Sequence, residues 1–300
     1  MRVAITGGTG FVGKALTKKL LSLGHEVFIL TRNSKNKEGN LTYIQWLTEG
    51  ADPGAELKHV DVFVNLAGES INSGRWTNER KERILNSRLQ ATEEVLKIMS
   101  KLETKPKTLI NASAIGFYGT SLTDSFTEEH KKSGEDFLAT TVKLWEEKAM
   151  KANELDIRTV LCRFGIILDK NDGALPRMAL PYNLFAGGTV GSGKQWMSWI
   201  HLDDVVDAMI FLMNNNTISG PVNFTAPHPV KMRELGQAIG AALKRPHWIP
   251  APAFALQLAL GEMSLLVLEG QRVFPEKLQK AGYLFQYEKV DKALLNIFQG

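Results

Sequence analysis

The run Thr6-Gly7-Gly8-Thr9-Gly10-Phe11-Val12-Gly13 constrains this chain more than any other feature. Val3, Ala4 and Ile5 ahead of it read as a short buried strand, and Lys14 to Leu23 behind it as an apolar helix. A glycine turn between strand and helix lets the backbone approach a pyrophosphate, whose charge then meets the helix N-terminus. The glycine spacing by itself is weak evidence; its place between a strand and a helix makes it specific. Residues 2–13 therefore predict a nucleotide-binding turn.

The alternation continues downstream. His25 to Leu30 reads as a strand ending in Thr31-Arg32-Asn33, and Val60 to Ala67 as another, stopped by Gly68. Residues 79–100 carry apolar positions at helical spacing, among them Ile84, Leu85, Val95, Leu96 and Met99. A strand over 108–113, a helix over 134–153 and a strand over 158–165 follow. Strands separated by helices imply a parallel sheet with helices on both faces, and ligands bind beyond the carboxyl ends of such strands. After Gly165 the rhythm breaks in a stretch rich in glycine and proline. A helix over 204–214, with Asp203 as its expected cap, and a strand over 221–225 come next. The expected architecture is α/β: a Rossmann-like doubly wound parallel sheet over 1–165, to which 199–226 returns, with a smaller C-terminal substrate lobe within 166–300.

Composition excludes several classes. The net charge of +4 is spread among interleaved acids and bases, as in Asn78-Glu79-Arg80-Lys81-Glu82-Arg83, so no stripe faces nucleic-acid phosphates. The single cysteine, Cys162, rules out an internal disulfide and fits a reducing compartment; its apolar neighbours mark it as a buried thiol. A strand starting at residue 2 leaves no room for a leader, and Ala253 to Leu268 is broken by Gln257, Gly261 and Glu262. A cytoplasmic protein acting on a small molecule is expected, with no nucleic acid and no membrane. A protein partner or homo-oligomer stays open.

With these pieces placed, the chain resembles the extended short-chain dehydrogenase/reductase superfamily, which holds sugar-nucleotide epimerases and dehydratases. Thr6 to Gly13 matches its opening fingerprint, and Asn65-Leu66-Ala67-Gly68 the motif lining the adenine and ribose side. Ser113 and Tyr118-Gly119 resemble its post-strand loop, and Trp199 to Val205 its late helix start. The strings Asn65 to Ile71, Ser87-Arg88 and Leu268 to Val273 are similar to an "epimerase family" subfamily with a C-terminal domain of unknown function. The resemblance runs from end to end. It implies a cofactor site of Thr6, Gly7, Gly8, Thr9, Gly10, Phe11, Val12 and Gly13 with Leu66, Ala67 and Gly68. Glu69 and Arg88 are expected to line the cofactor or substrate cleft.

The end of the second strand distinguishes the two nicotinamide cofactors. An acidic residue there would bond the ribose 2′-hydroxyl and repel a 2′-phosphate. This corner reads Leu30-Thr31-Arg32-Asn33-Ser34-Lys35, with no carboxylate. A guanidinium fork suits a phosphate, so Thr31 and Arg32 predict NADP(H).

The resemblance also implies a tyrosine one helical turn before a lysine, with a serine or threonine orienting the substrate oxygen. The corresponding helix reads Phe137-Leu138-Ala139-Thr140-Thr141-Val142-Lys143-Leu144-Trp145-Glu146. Lys143 takes the lysine place, but the tyrosine place is Ala139, and none of the five tyrosines precedes a lysine at this spacing. The hydroxyl place is Ala114, with Ser113 adjacent. The candidate catalytic groups are therefore Lys143 on the ribose, Tyr118 as replacement acid and Ser113 as orienting hydroxyl. Trp76 and Trp196 are candidates for an aromatic wall. His201, Asp203 and Asp204 read as a helix start, so no metal is expected. These readings point to an NADP(H)-dependent oxidoreductase acting on a small carbonyl or alcohol. Two alternatives stay open: a sugar-nucleotide epimerase or dehydratase, and a non-catalytic NADP(H)-binding protein that reports redox state.

Overall fold

Continuous apolar runs such as Val3-Ala4-Ile5 and Val62-Phe63-Val64 need cover on both faces of a sheet. In the computed structural model, which describes residues 1–33, 37–57 and 59–300, they get it. Seven strands form one wholly parallel sheet: β1 (Arg2–Thr6), β2 (Glu26–Thr31), β3 (Leu41–Gln45), β4 (Val62–Asn65), β5 (Thr108–Ala114), β6 (Arg158–Phe164) and β7 (Gly220–Phe224). Their order is β7-β6-β5-β4-β1-β2-β3. The chain winds outward from β1 to β3, crosses back to β4 and winds the other way. The strand order thus reverses between β1 and β4, where open α/β sheets keep their ligand crevice.

Helices close both faces. On one, Leu16 and Leu20 of α1 (Phe11–Ser22) join Val3, Ile5 and the apolar side of the helix Leu202–Asn214. On the other, Val95, Ile98 and Met99 of α2 (Asn78–Lys101) meet Phe63 and Leu109. Helix α3 (Phe137–Met150) packs beside α2. Side chains fix where these helices start. Thr77 accepts a hydrogen bond from the Arg80 amide and Asp136 from the Ala139 amide, satisfying first-turn donors. No helix among the described residues is long and apolar enough to cross a membrane.

Two elements differ from expectation. Strand β3 is an edge strand in which Thr42, Tyr43 and Gln45 are not buried, so it carries too weak an apolar signature to be read from sequence. The helix α4 (Leu202–Asn214) is capped by His201, whose Nδ1 accepts from the Asp203 amide, rather than by Asp203. Burial lowers the His201 pKa, which keeps that nitrogen free to accept. The buried Asp204 carboxylate instead holds the C-terminal region, accepting from the amides of Gln286 and Tyr287 and from the Tyr283 hydroxyl.

The last third of the chain builds a second layer over the strand ends. Helices α5 (Met232–Leu243) and α6 (Val290–Gln299) pack together around Trp199 and Tyr182. The short strand Arg272–Val273 pairs in parallel with Ser125–Phe126, bringing the tail back over the β5 loop.

Packing is close where β1 turns into α1. A Cβ on Gly13 would stand 2.2 Å from the Gly7 carbonyl oxygen and 2.6 Å from the Gly8 Cα. Gly13→Ala is therefore expected to cost about 1–3 kcal/mol of stability, the usual range for overpacking. Urea unfolding of the variant checks this, and an unchanged midpoint would contradict it.

Candidate functional site

The glycine turn shapes one end of a cleft of about 650 Å³ beyond the strand ends. Gly7 has φ +67°, a left-handed conformation that glycine adopts without strain, and a Cβ there would lie 2.7 Å from the Leu66 carbonyl. The Gly10 amide donates to Gly7 O at 2.9 Å, which closes the turn. Helix α1 then starts at Phe11, behind Gly10 at the N-cap, with no side-chain cap and no acid in its first turn. Its leading amides keep their hydrogen-bonding capacity and the positive end of the helix dipole, the arrangement that receives an anion.

Many of the expected residues meet here. Gly7, Gly10, Phe11, Val12 and Gly13 share the cleft with Leu66, Ala67, Gly68 and Arg88. The Arg88 guanidinium lies beside Gly68 and over the Trp145 ring, and it donates to Glu69 O at 3.1 Å and Ile84 O at 2.8 Å. Burial brings its pKa down to about 10, opposed by Glu69, so it stays cationic at neutral pH. At the far end of β2, Thr31 is half-buried and Arg32 exposed, and the guanidinium makes no ion pair or hydrogen bond among the described residues. Ser34 and Lys35 of the same corner lie outside the described residues.

Other expected residues turn away. The Thr6 hydroxyl donates to Asn65 Oδ1 at 2.6 Å, and Asn65 Nδ2 donates to Thr92 and Asn111, a buried network that ties β1, β4, β5 and α2 together. Gly8 packs on Ile29, and Thr9 faces solvent. Glu69 does not present its carboxylate to the cleft: Arg80 of α2 pairs with it, and Arg83 lies 3.7 Å away. That pairing ties the loop after β4 to α2.

The expected catalytic residues do not gather in the cleft. The face of α3 that lines the cleft carries Leu138, Thr141, Val142 and Trp145. Lys143 points to the opposite side, where it is exposed and stands 4.0 Å from Glu147. One residue along a helix is a rotation of about 100°, enough to move a side chain to another face. The pair one turn apart that meets the cleft is therefore Leu138 and Val142, both apolar, and Ala139 is fully buried. Tyr118 is buried too. Its hydroxyl donates to Asn223 Oδ1 at 2.8 Å, its ring stacks on Phe126 at 5.1 Å, and burial pushes its pKa up. Ser113 borders the cleft, but its hydroxyl donates to Glu146 Oε1 at 2.5 Å. That carboxylate also takes two bonds from the Arg163 guanidinium, at 2.8 and 2.7 Å. Neither Tyr118, Ser113 nor Lys143 presents a free polar group to the cleft.

Two contributors escaped the sequence reading. Thr141 lines the cleft with a hydroxyl that has no hydrogen-bond partner among the described residues. The other is a strap at residues 265–271. Gly270 lies so close to Trp196 that a Cβ would stand 1.9 Å from its carbonyl oxygen. Gln271 Nε2 donates to Ile115 O at 2.9 Å, Gln271 O accepts from Ser198 Oγ, and Gly270 O accepts from the Ser121 amide. A glycine beside two polar residues in an apolar tail was the available signal. No cluster of potential metal ligands exists among the described residues.

A doubly wound parallel sheet with a glycine turn at its switch point defines a dinucleotide-binding α/β protein. The chain belongs to the NAD-dependent epimerase/dehydratase family, whose model matches residues 3–147; a domain of unknown function, DUF1731, matches residues 251–297. It is 51% identical to Epimerase family protein YfhF of Bacillus subtilis, over 98% of this chain and 97% of that protein. It is 40% identical to an epimerase family protein of Staphylococcus aureus, over 98% of each. The crystal structure of human epimerase family protein SDR39U1 with NADPH superposes with a TM-score of 0.88 at 32% identity, covering 100% of both chains. A UDP-glucuronic acid 4-epimerase from Bacillus cereus in complex with NAD has a TM-score of 0.79 at 14% identity, over 100% of this chain and 96% of that one, a likeness of fold alone.

Because Tyr118 and Lys143 face away from the cleft, Tyr118→Phe and Lys143→Ala are expected to leave dinucleotide affinity within about twofold of the parent. Tyr118→Phe should lower stability by about 1 kcal/mol through the lost bond to Asn223. Titration and urea unfolding of both variants check this; a large loss of affinity in either would contradict it.

Proposed function

We propose that this protein binds NADP(H) and acts as an oxidoreductase on a small carbonyl or alcohol, without the usual tyrosine–lysine pair. The observation that carries the cofactor choice is Arg32, an exposed guanidinium at the end of β2 with no ion pair or hydrogen bond among the described residues, in a corner whose described residues include no carboxylate. The NADPH named with the human relative supports the same choice. The cradle fits the cofactor: Gly7 and Gly13 leave no room for a Cβ, and the first amides of α1 have no side-chain cap.

Bound there, NADP(H) supplies or accepts the hydride. The backbone amides of the glycine turn hold the diphosphate, and Arg32 the 2′-phosphate. Leu138, Val142 and Trp145 keep water from the α3 side of the cleft, and the Thr141 hydroxyl orients the substrate oxygen. Residues 166–300, apart from the part that returns to the sheet, form the substrate lobe over the nucleotide-binding part at 1–165. A positioned acid is typically worth about 10²–10⁴-fold in rate, so turnover without one is slow. The apolar pair Leu138 and Val142 also favours a second reading, a non-catalytic NADP(H)-binding protein.

Arg32→Ala should weaken NADPH binding by about 1.5–3 kcal/mol, as for a hydrogen bond to a charged group, and leave NADH binding unchanged. Parallel titrations with both cofactors check this; an unmodified protein that prefers NADH would contradict the proposal. NADPH absorbance with a panel of carbonyls separates the two readings: consumption supports the oxidoreductase, saturable binding without consumption the non-catalytic protein.

A further inference from the structure

Beyond the N-terminal end of α3, the cleft adjoins a second cavity of about 400 Å³. Asp136, Leu138, Leu265 and Glu269 line both spaces. The outer cavity has one aromatic wall, with Trp76 and Phe137 edge to face at 5.4 Å. The Trp76 indole donates to Ile71 O at 2.9 Å, which fixes that wall. Leu265 and Leu268 supply an apolar side opposite in sequence origin, from the C-terminal strap.

The charges are one-sided. Three carboxylates, Asp136, Glu262 and Glu269, border the outer cavity against one ammonium, Lys81, a net of two negative charges. Lys81 is already paired with Glu262. Asp136 is engaged with the Ala139 amide. The Glu269 carboxylate is exposed and has no ion pair or hydrogen bond among the described residues. Arg88, the cation among the residues lining the cleft, spends donors on Glu69 O and Ile84 O and lies beside Gly68.

We propose that this outer cavity receives the ring of the substrate while its reacting oxygen reaches into the adjoining cleft, and that the substrate is an uncharged or cationic, ring-bearing carbonyl or alcohol rather than a nucleoside-diphosphate sugar, with Glu269 as its polar recognition residue. The proposal rests on the NADP(H)-oxidoreductase reading and gives it a substrate class. A diphosphate needs guanidinium or ammonium donors, or free amides, to offset its charge. Here its oxygens would instead face carboxylates, and like charges placed together are strongly unfavourable. A cavity of about 400 Å³ falls at the low end of small-molecule sites, room for one ring with short substituents. Trp76 and Phe137, packed edge to face, offer that ring an aromatic corner, with the Lys81 ammonium 5.5 Å from the centre of the Phe137 ring.

The test uses the full chain and benzaldehydes that carry a para trimethylammonium, isopropyl or carboxylate group, with UDP-glucose as the diphosphate probe. NADPH is first titrated by tryptophan fluorescence, which reads the cofactor proposal separately. The probes are then titrated calorimetrically into protein saturated with NADP⁺. The trimethylammonium and isopropyl compounds are expected to bind about tenfold or more tightly than the carboxylate, the scale of one partly screened charge. UDP-glucose should show no saturable heat. Glu269→Gln should shrink the preference for the cation over the carboxylate while leaving the isopropyl compound within about twofold. If NADPH binds but UDP-glucose saturates, the carboxylate binds best, or the whole series fails to bind, the substrate proposal falls and the cofactor proposal stands. If NADPH does not bind, both fall.

Discussion

The approach of the Gly7 to Gly13 turn to the end of β4 is the contact on which the rest depends. Gly7 lies against the Leu66 carbonyl, and Gly13 against Gly7 itself, with no space for a side chain at either position. Only because these backbones meet can α1 point its leading amides along the carboxyl edge of the sheet. The cleft, its anion-receiving end and the switch in strand order all follow from that packing. Buried polar bonds then lock it: Thr6 to Asn65, and Asn65 to Thr92 and Asn111, join the strands beneath the turn to the helix beneath the cleft. Each buried donor and acceptor in that chain is costly to leave unpaired, so the network favours a single strand arrangement.

The same economy of polar groups explains the unusual α3 face. Ser113, Glu146 and Arg163 form a buried charge-assisted cluster on one side of the helix, and Tyr118 is tied to Asn223 nearby. These groups hold β5, β6, β7 and α3 in place, and their polar atoms are bonded to one another rather than offered to the cleft. What remains on the cleft side is Leu138, Thr141, Val142 and Trp145, a surface able to shape and dry a site but carrying no strong acid. The C-terminal strap completes the enclosure, anchored by Gln271 on Ile115 and by Gly270 under Trp196.

Much of this was legible from the sequence where the signal is local. The glycine turn, the parallel alternation and six of the seven strands were readable because buried strands and amphipathic helices carry their own periodicity. The seventh, β3, sits at an edge and lacks it. The helix register at 137–146 was not readable, because α3 is buried on several sides and its apolar pattern does not single out one face; a shift of one residue put Lys143 where Val142 stands. The direction of Tyr118 depends on the tight turn Ile115–Tyr118 after β5, and the strap depends on contacts across more than one hundred and fifty residues. Neither distance nor turn geometry is written in local composition.

On the proposed reading, a dinucleotide lies between the glycine turn and the strap. Amide hydrogen exchange with and without NADPH reports on that placement. Slowed exchange in 7–13, 66–72 and 265–271 together, with distant segments such as 290–299 unchanged, is the predicted result. Slowing confined to other surfaces, or none at saturating NADPH, would contradict it.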